Sequence, residues 1–182
     1  RRLGSERDLE SRARFDGERL SLPPKMDAFP EEALNRAAYF WLTAMAAIGE
    51  TGDLPAEGPA ADLARIRLNL AAAERVRTAC PGLRAAHDRM AEACIAARPG
   101  MSRPPAETLV ENAVRAALAG RPIDLKAPCA ASNYMTFAPV PIWLTHVPPG
   151  RGDAASETEG DAAKPPPGAA RTKRQLGRRR DL

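Results

Sequence analysis

A helical periodicity runs through "FPEEALNRAAYFWLTAMAAIGE", where Leu34, Ala38, Trp41, Met45 and Ile48 recur at spacings of four, three, four and three. That spacing is the apolar stripe of an amphipathic helix. Pro30 suits a first helical position, and Glu31 and Glu32 favour the positive end of the helix dipole. The helix is therefore expected from Pro30 to Gly49. Tyr39, Phe40 and Trp41 stand side by side in it, although the chain holds only eight aromatics. Consecutive helical residues point about 100° apart, so one buried face cannot take all three. Trp41 falls in the stripe and Phe40 on its flank, at the edge of the core. Tyr39 lies nearly opposite, beside Glu32, Arg36 and Thr43, and needs a second layer or a partner.

Three further helices follow. "ETGDLPAEGPA" reads as a loop, and Leu63, Ile66, Leu70, Ala73 and either Val76 or Arg77 then keep helical step from about Ala61 to Ala79. Cys80-Pro81-Gly82 breaks that helix. A third, over about 83–97, carries Leu83, His87, Met90 and Cys94. Pro105 opens a fourth through Leu109, Val110, Ala113, Val114, Ala117 and Leu118, with Gly120 placed to close it. The fold class expected is mostly α, a small antiparallel bundle of about four helices. Ahead of it, Asp16-Gly17 between short alternating runs is a weak hairpin signal.

Beyond Arg121 the pattern changes. "SNYMTFAPVPIWLTHVPP" alternates large apolar groups with proline and reads as extended chain. It is too apolar for a free linker, so residues 134–143 are expected to lie on the helices, with Tyr39 as the side they would cover. Four parts result: a charged lead-in with a possible hairpin over 1–29, a helical domain over 30–120, an extended segment over 121–148, and a disordered linker with a basic end over 149–182.

Charge sharpens this picture. The net charge is +4, but residues 171–180 hold six basic residues and no acid, so the remainder is slightly acidic. A basic body for nucleic acid is absent. Arg174, Arg178, Arg179 and Arg180 are the candidates for electrostatic partner binding, through RNA, DNA, anionic lipid or an acidic protein surface. On the helices, Tyr39 and Phe40 are the candidate partner contacts. Residues 127–150 carry no Lys, Arg, Asp or Glu, yet five prolines interrupt them, so no membrane helix is expected. The opening "RRLGSERDLE" has no apolar run and no initiator Met. A soluble, cytoplasmic fragment without a signal peptide is expected.

Little in the chain suggests catalysis. GxSxG, GxxxxGK[ST], GxGxxG and HExxH are all missing, and no Ser or Cys has a recognisable activating base. Cys80, His87 and Cys94 are spaced by seven, two helical turns, which brings a shared metal-binding face to mind. Pro81-Gly82 interrupts that face and both cysteines sit among alanines, so core packing is the better account. Cys80, Cys94 and Cys129 have no CxxC or framework spacing, which fits a reducing compartment. No catalytic, cofactor-binding or metal-ligating residue is expected, and the chain reads as a binding or scaffolding element.

Three stretches carry a family resemblance. "LPPKMDAFPEEALNRAAYFWLTAMAA", "TFAPVPIWL" and "RTKRQLGRRRDL" resemble, in the same order, segments of NorD-type nitric oxide reductase activation proteins. The related CbbO-type proteins, adaptors of a Rubisco activase, share that architecture. The resemblance implies a non-catalytic adaptor region that works with a hexameric MoxR-type AAA+ ATPase. Its client would be nitric oxide reductase and its task the insertion of non-haem iron, or Rubisco in the CbbO-like alternative. A nucleic-acid-binding protein using the basic end is the alternative of a different class. The family's von Willebrand factor A domain carries DxSxS, which this chain lacks, so magnesium is implied only for that absent domain. The resemblance implies neither DNA binding nor membrane insertion.

Overall fold

Four helices form where the periodicity places them. The computed structural model describes residues 12–50, 57–98, 103–123 and 133–147, with positions 52, 54 and 100 between them. Among these, α1 spans Glu32–Ile48, α2 Pro59–Ala79, α3 Arg84–Ala97 and α4 Pro105–Leu118, and a 3-10 turn, Pro81–Leu83, precedes α3. Helix α1 starts two residues later than predicted, with Pro30 left outside it. Asn35 supplies the reason. Its Oδ1 accepts from Ala28 N at 3.0 Å and Phe29 N at 2.9 Å, and its Nδ2 donates to Phe29 O at 2.7 Å. The amide thereby occupies the lead-in backbone in a non-helical turn.

Helix α4 ends as its glycine predicts. Gly120 has φ +63°, its N–H donates to Ala117 O, and Arg121 N donates to Ala116 O. This pair of bonds is the Schellman closure, and it needs a left-handed residue that glycine adopts without a Cβ penalty. At the other end of the bundle, Gly58 caps α2 with φ +90° and ψ −178°, a region almost confined to glycine.

Helix α1 packs on α2 and α3, and α4 packs on the same two. The interior is closed by Trp41, Leu42 and Met45 from α1, Leu63, Ile66 and Val76 from α2, Met90 from α3 and Val114 from α4, all buried. The extended segment completes it: Val140, Ile142, Trp143 and Leu144 are also buried. Phe137 meets Trp143 edge-on with ring centroids 6.1 Å apart.

Two ends of the described chain meet in a small sheet. Strand β1 (Arg14–Phe15) pairs antiparallel with β2 (Leu20–Ser21), Arg14 opposite Ser21 and Phe15 opposite Leu20. The hairpin suggested by Asp16-Gly17 therefore forms, and Asp16 Oδ1 closes its turn by accepting from Glu18 N and Arg19 N. Strand β3 (Thr145–His146) runs parallel to β1 on its other side, giving the order β2-β1-β3.

The three adjacent aromatics part company. Trp41 is buried and donates from Nε1 to Ile142 O at 3.0 Å, so residues 134–143 cover Trp41. Tyr39 is half-buried, and its hydroxyl donates to Pro23 O at 3.0 Å in the lead-in. The lead-in thus supplies the cover at the Tyr39 hydroxyl that the sequence assigns to residues 134–143. Phe40, expected at the edge of the core, is 63% exposed. The bundle closes only on the sides of α1 that face α2 and α3, and Phe40 points away from both. Residues 1–11 and 149–182, with Arg174, Arg178, Arg179, Arg180 and the supposed disordered linker, lie outside the described residues, as does Cys129.

Candidate binding site: a cationic cleft beneath the proline-aromatic segment

An extended chain rich in proline has no ladder of its own to satisfy its backbone, so its polar groups need side-chain partners. Helix α2 provides two of them, one above the other. Asp62 and Asn69 are seven residues apart, two turns along one face, and both are fully or almost fully buried. Asp62 Oδ2 accepts from the Tyr134 hydroxyl at 2.7 Å, the Thr136 hydroxyl at 2.6 Å and Phe137 N at 3.3 Å. Its Oδ1 accepts from Arg65 at 2.7 Å. Asn69 pairs with both backbone groups of Leu144, accepting from N at 2.7 Å and donating to O at 3.1 Å.

A third anchor is ionic. The Arg98 guanidinium holds Glu111 by two bonds, Nε to Oε1 at 2.6 Å and Nη2 to Oε2 at 2.7 Å, and reaches Ala138 O at 3.2 Å. Arg115 adds a bond to Glu111 Oε1 at 3.0 Å. Burial pushes the Glu111 carboxyl up, but the hydrogen bonds from Arg98 and the charges of Arg98, Arg103 and Arg115 outweigh it and hold the carboxyl below its ordinary range.

Between these anchors a cleft of about 370 Å³ opens. Arg12, Arg65 and His146 bring polar groups to its wall, and Met26, Phe137 and Trp143 bring apolar ones. Two polar atoms in that wall are buried and meet no hydrogen-bond partner among the described residues: Arg12 Nε and His146 Nδ1. The His146 ring lies edge-on to Phe15 at 6.4 Å. Burial, with the charge of Arg65, lowers the His146 pKa against a smaller opposing contribution from the Leu144 carbonyl.

His87 is the second half-buried imidazole, stacked on Trp41 with centroids 4.1 Å apart. Arg77 lies 2.9 Å from its Nδ1 and also pairs with Asp88. Asp88 Oδ1 lies 3.3 Å from the same atom, so Nδ1 accepts in the Arg77 contact and donates in the Asp88 contact, each with its own ring tautomer. Burial lowers the His87 pKa, aided by Arg77 and opposed by Asp88. Both histidines thus bind a proton less readily in the folded chain than in the unfolded one. Stability is expected to fall as pH drops through the unfolded value near 6.5. Melting temperatures measured from pH 7.5 to 5.5 check this: the decline should shrink in a His87→Gln, His146→Gln chain.

The cysteine-histidine face gathers no site. Cys94 is buried, its thiol pushed up to about 11 by burial despite the Arg98 charge. Such a thiol is inert at neutral pH. Among the described residues no group of three or more His, Cys, Asp or Glu is placed to hold a metal ion. None of their helices is long and apolar enough to cross a membrane.

Of the candidate partner contacts, Phe40 is exposed and Tyr39 is engaged with Pro23. Asp62, Asn69, Arg12 and His146 are residues that pattern reading passes over. For Asp62 and Asn69 the available signal is their shared face with Ile66, Ala73 and Val76.

The chain is similar to Protein NorD. It is 30% identical to that protein from Brucella abortus and from Brucella suis, over 133 residues that make up 68% of this chain and 21% of theirs. It is also 30% identical over 169 residues to an uncharacterised protein of Pseudomonas aeruginosa, covering 90% of this chain and 24% of that one. The chain thus spans between a fifth and a quarter of the length of these curated relatives. No family model matches it, and no solved structure does.

Proposed function

We propose that this chain is a non-catalytic, helical adaptor region of a NorD-like maturation factor. The observation that carries the reading is the 30% identity to Protein NorD over 133 residues, 68% of the chain. In this reading it works with a MoxR-type AAA+ ATPase in the cytoplasm to activate nitric oxide reductase by supplying its non-haem iron. The bundle suits such a role: buried anchors fix its shape, and one large aromatic is left outside.

Deleting the full gene tests the reading. Nitric oxide reductase should still be made but be inactive and short of non-haem iron, and a normal iron content would overturn it. Carboxylase genes beside this one, with Rubisco activity lost instead, would point to the CbbO-like alternative.

Phe40 is the contact we assign to the ATPase. An aromatic with 63% of its surface in water is the kind of side chain that anchors an interface. Phe40→Asp is expected to change stability by no more than about 0.5 kcal/mol, as for other exposed positions. Retention of the chain on the immobilised ATPase should fall at least roughly tenfold. Unchanged retention removes Phe40 from the interface.

A further inference from the structure

We infer that the cleft bounded by Arg12, Arg65, His146, Phe137 and Trp143 is a binding site for an organic monocarboxylate, with Arg12 as its charge partner. The inference stands apart from the adaptor reading and does not need it.

Charge selects the ligand's sign. Among the described residues the lining holds two guanidinium groups and one carboxylate, Asp62. Asp62 has no capacity left for a ligand cation: Oδ1 is taken by Arg65, and Oδ2 by Tyr134, Thr136 and Phe137 N. Arg65 and Asp62 therefore neutralise each other at 2.7 Å. Among the described residues, Arg12 is left as the guanidinium of the wall that no carboxylate of the cleft pairs with. A guanidinium is never deprotonated in a protein and can only donate. Its Nε is shut off from solvent without an acceptor. A buried donor left unmade is costly, so the site is incomplete until an acceptor enters. His146 Nδ1 is a second unmade group in the same wall and can give or take one more hydrogen bond.

Size and lining select the rest. A single surplus positive charge matches a monoanion better than a phosphate dianion, whose second charge would find no partner. A planar carboxylate also fits the guanidinium fork. The volume of about 370 Å³ sits at the small end of ligand pockets, far larger than a bare inorganic ion needs. Met26, Phe137 and Trp143 provide apolar walls for an aliphatic or aromatic stem. The carboxylate could arrive on a free organic acid or on a glutamate of a short peptide. The chemistry recognised is the same.

Trp143 lines the cleft, whereas Trp41, the other tryptophan, does not, so indole fluorescence reports occupancy. The 182-residue chain is titrated with hexanoate, with the blocked dipeptide acetyl-leucyl-glutamic acid amide, and with hexanol as a neutral control of equal stem. Saturable quenching or shift of emission by either carboxylate, at least tenfold tighter than by hexanol, is expected. Whichever of the two binds tighter identifies the source. Arg12→Gln should weaken carboxylate binding roughly tenfold or more, the worth of one charge-assisted bond, and leave hexanol unchanged. Arg12→Lys, which keeps the charge but not the fork, should fall between. Circular dichroism on each variant establishes that the helices persist. Should Arg12→Gln lose them, wild type against hexanol decides alone. Equal binding of hexanoate and hexanol overturns the proposal, as do no binding of either carboxylate and carboxylate binding indifferent to a folded Arg12→Gln.

Discussion

Asp62→Ala is expected to lower the stability of the chain by about 3–5 kcal/mol, the range for removing one partner from a buried charge pair. The replacement leaves the Tyr134 hydroxyl, the Thr136 hydroxyl and Phe137 N without their acceptor, and it strands Arg65 beside them. Each stranded donor carries its own desolvation cost. The helices do not depend on Asp62 for their hydrogen bonds, so helical ellipticity should persist at low temperature while the urea midpoint falls. An unchanged midpoint would mean that the clamp does not hold residues 134–137. Alkaline titration in a Tyr39→Phe background gives a second reading. Burial, and then the hydrogen bond to Asp62 and its charge, raise the Tyr134 phenol above its ordinary 10. Without the carboxylate it should ionise at lower pH than in the parent chain.

The second large effect sits at the Arg98–Glu111 pair. Either Arg98→Ala or Glu111→Ala leaves one charge buried and uncompensated, again at a cost of about 3–5 kcal/mol. Removing both together, as Arg98→Met with Glu111→Leu, should cost far less than the sum, because two apolar side chains leave no stranded charge. What remains is the Ala138 carbonyl, which loses its donor, and Arg115, which loses one acceptor. A double-mutant cycle in urea measures the coupling, and purely additive losses would argue against a joint role. Acid gives an independent handle. The Glu111 carboxyl is held below its ordinary 4.5, so the folded chain binds that proton less readily than the unfolded one. Its contribution is therefore present above about pH 4.5 and is lost as pH falls through the folded value. In Glu111→Leu with Arg98→Met that part of the acid sensitivity should vanish.

The helices were legible because their information is local. Apolar spacing, Pro105 and Gly120 place α4 to the residue, and the α1 stripe names four of its five buried side chains. Leu42 is the fifth, one position along from Trp41. What the pattern could not show depends on distant partners. Leu70 was the expected core residue of α2, yet it is half-buried while its polar neighbour Asn69 is buried. A polar residue beside a stripe reads as a solvated one. Only the arrival of Leu144, 75 positions later, makes Asn69 worth burying. Asp62 is the same case with three donors from residues 134–137. Phe40 fails in the opposite sense: the wheel places it near the stripe, but helix count and placement decide how wide the covered face is. The cleft has no local signature at all, since its wall joins residues 12, 65 and 146.

The parallel pairing of β1 with β3 also has a mechanical meaning. The chain enters the described body at the start of β1 and leaves it at the end of β3, with Thr145 N bonded to Ala13 O and Val147 N to Phe15 O. Opposed pulls on the two flanks would run along neighbouring strands in opposite directions. Both bonds would then bear load together, in shear, instead of opening one after the other like a zipper. Behind them stand the Trp41 bond to Ile142 and the Asn69 bonds to Leu144, which a sliding β3 must break as well. In single-molecule pulling, handles flanking residues 12 and 147 should meet a higher unfolding force than handles flanking 22 and 147. A body built from small helices would then owe its resistance to traction to the four residues of β1 and β3.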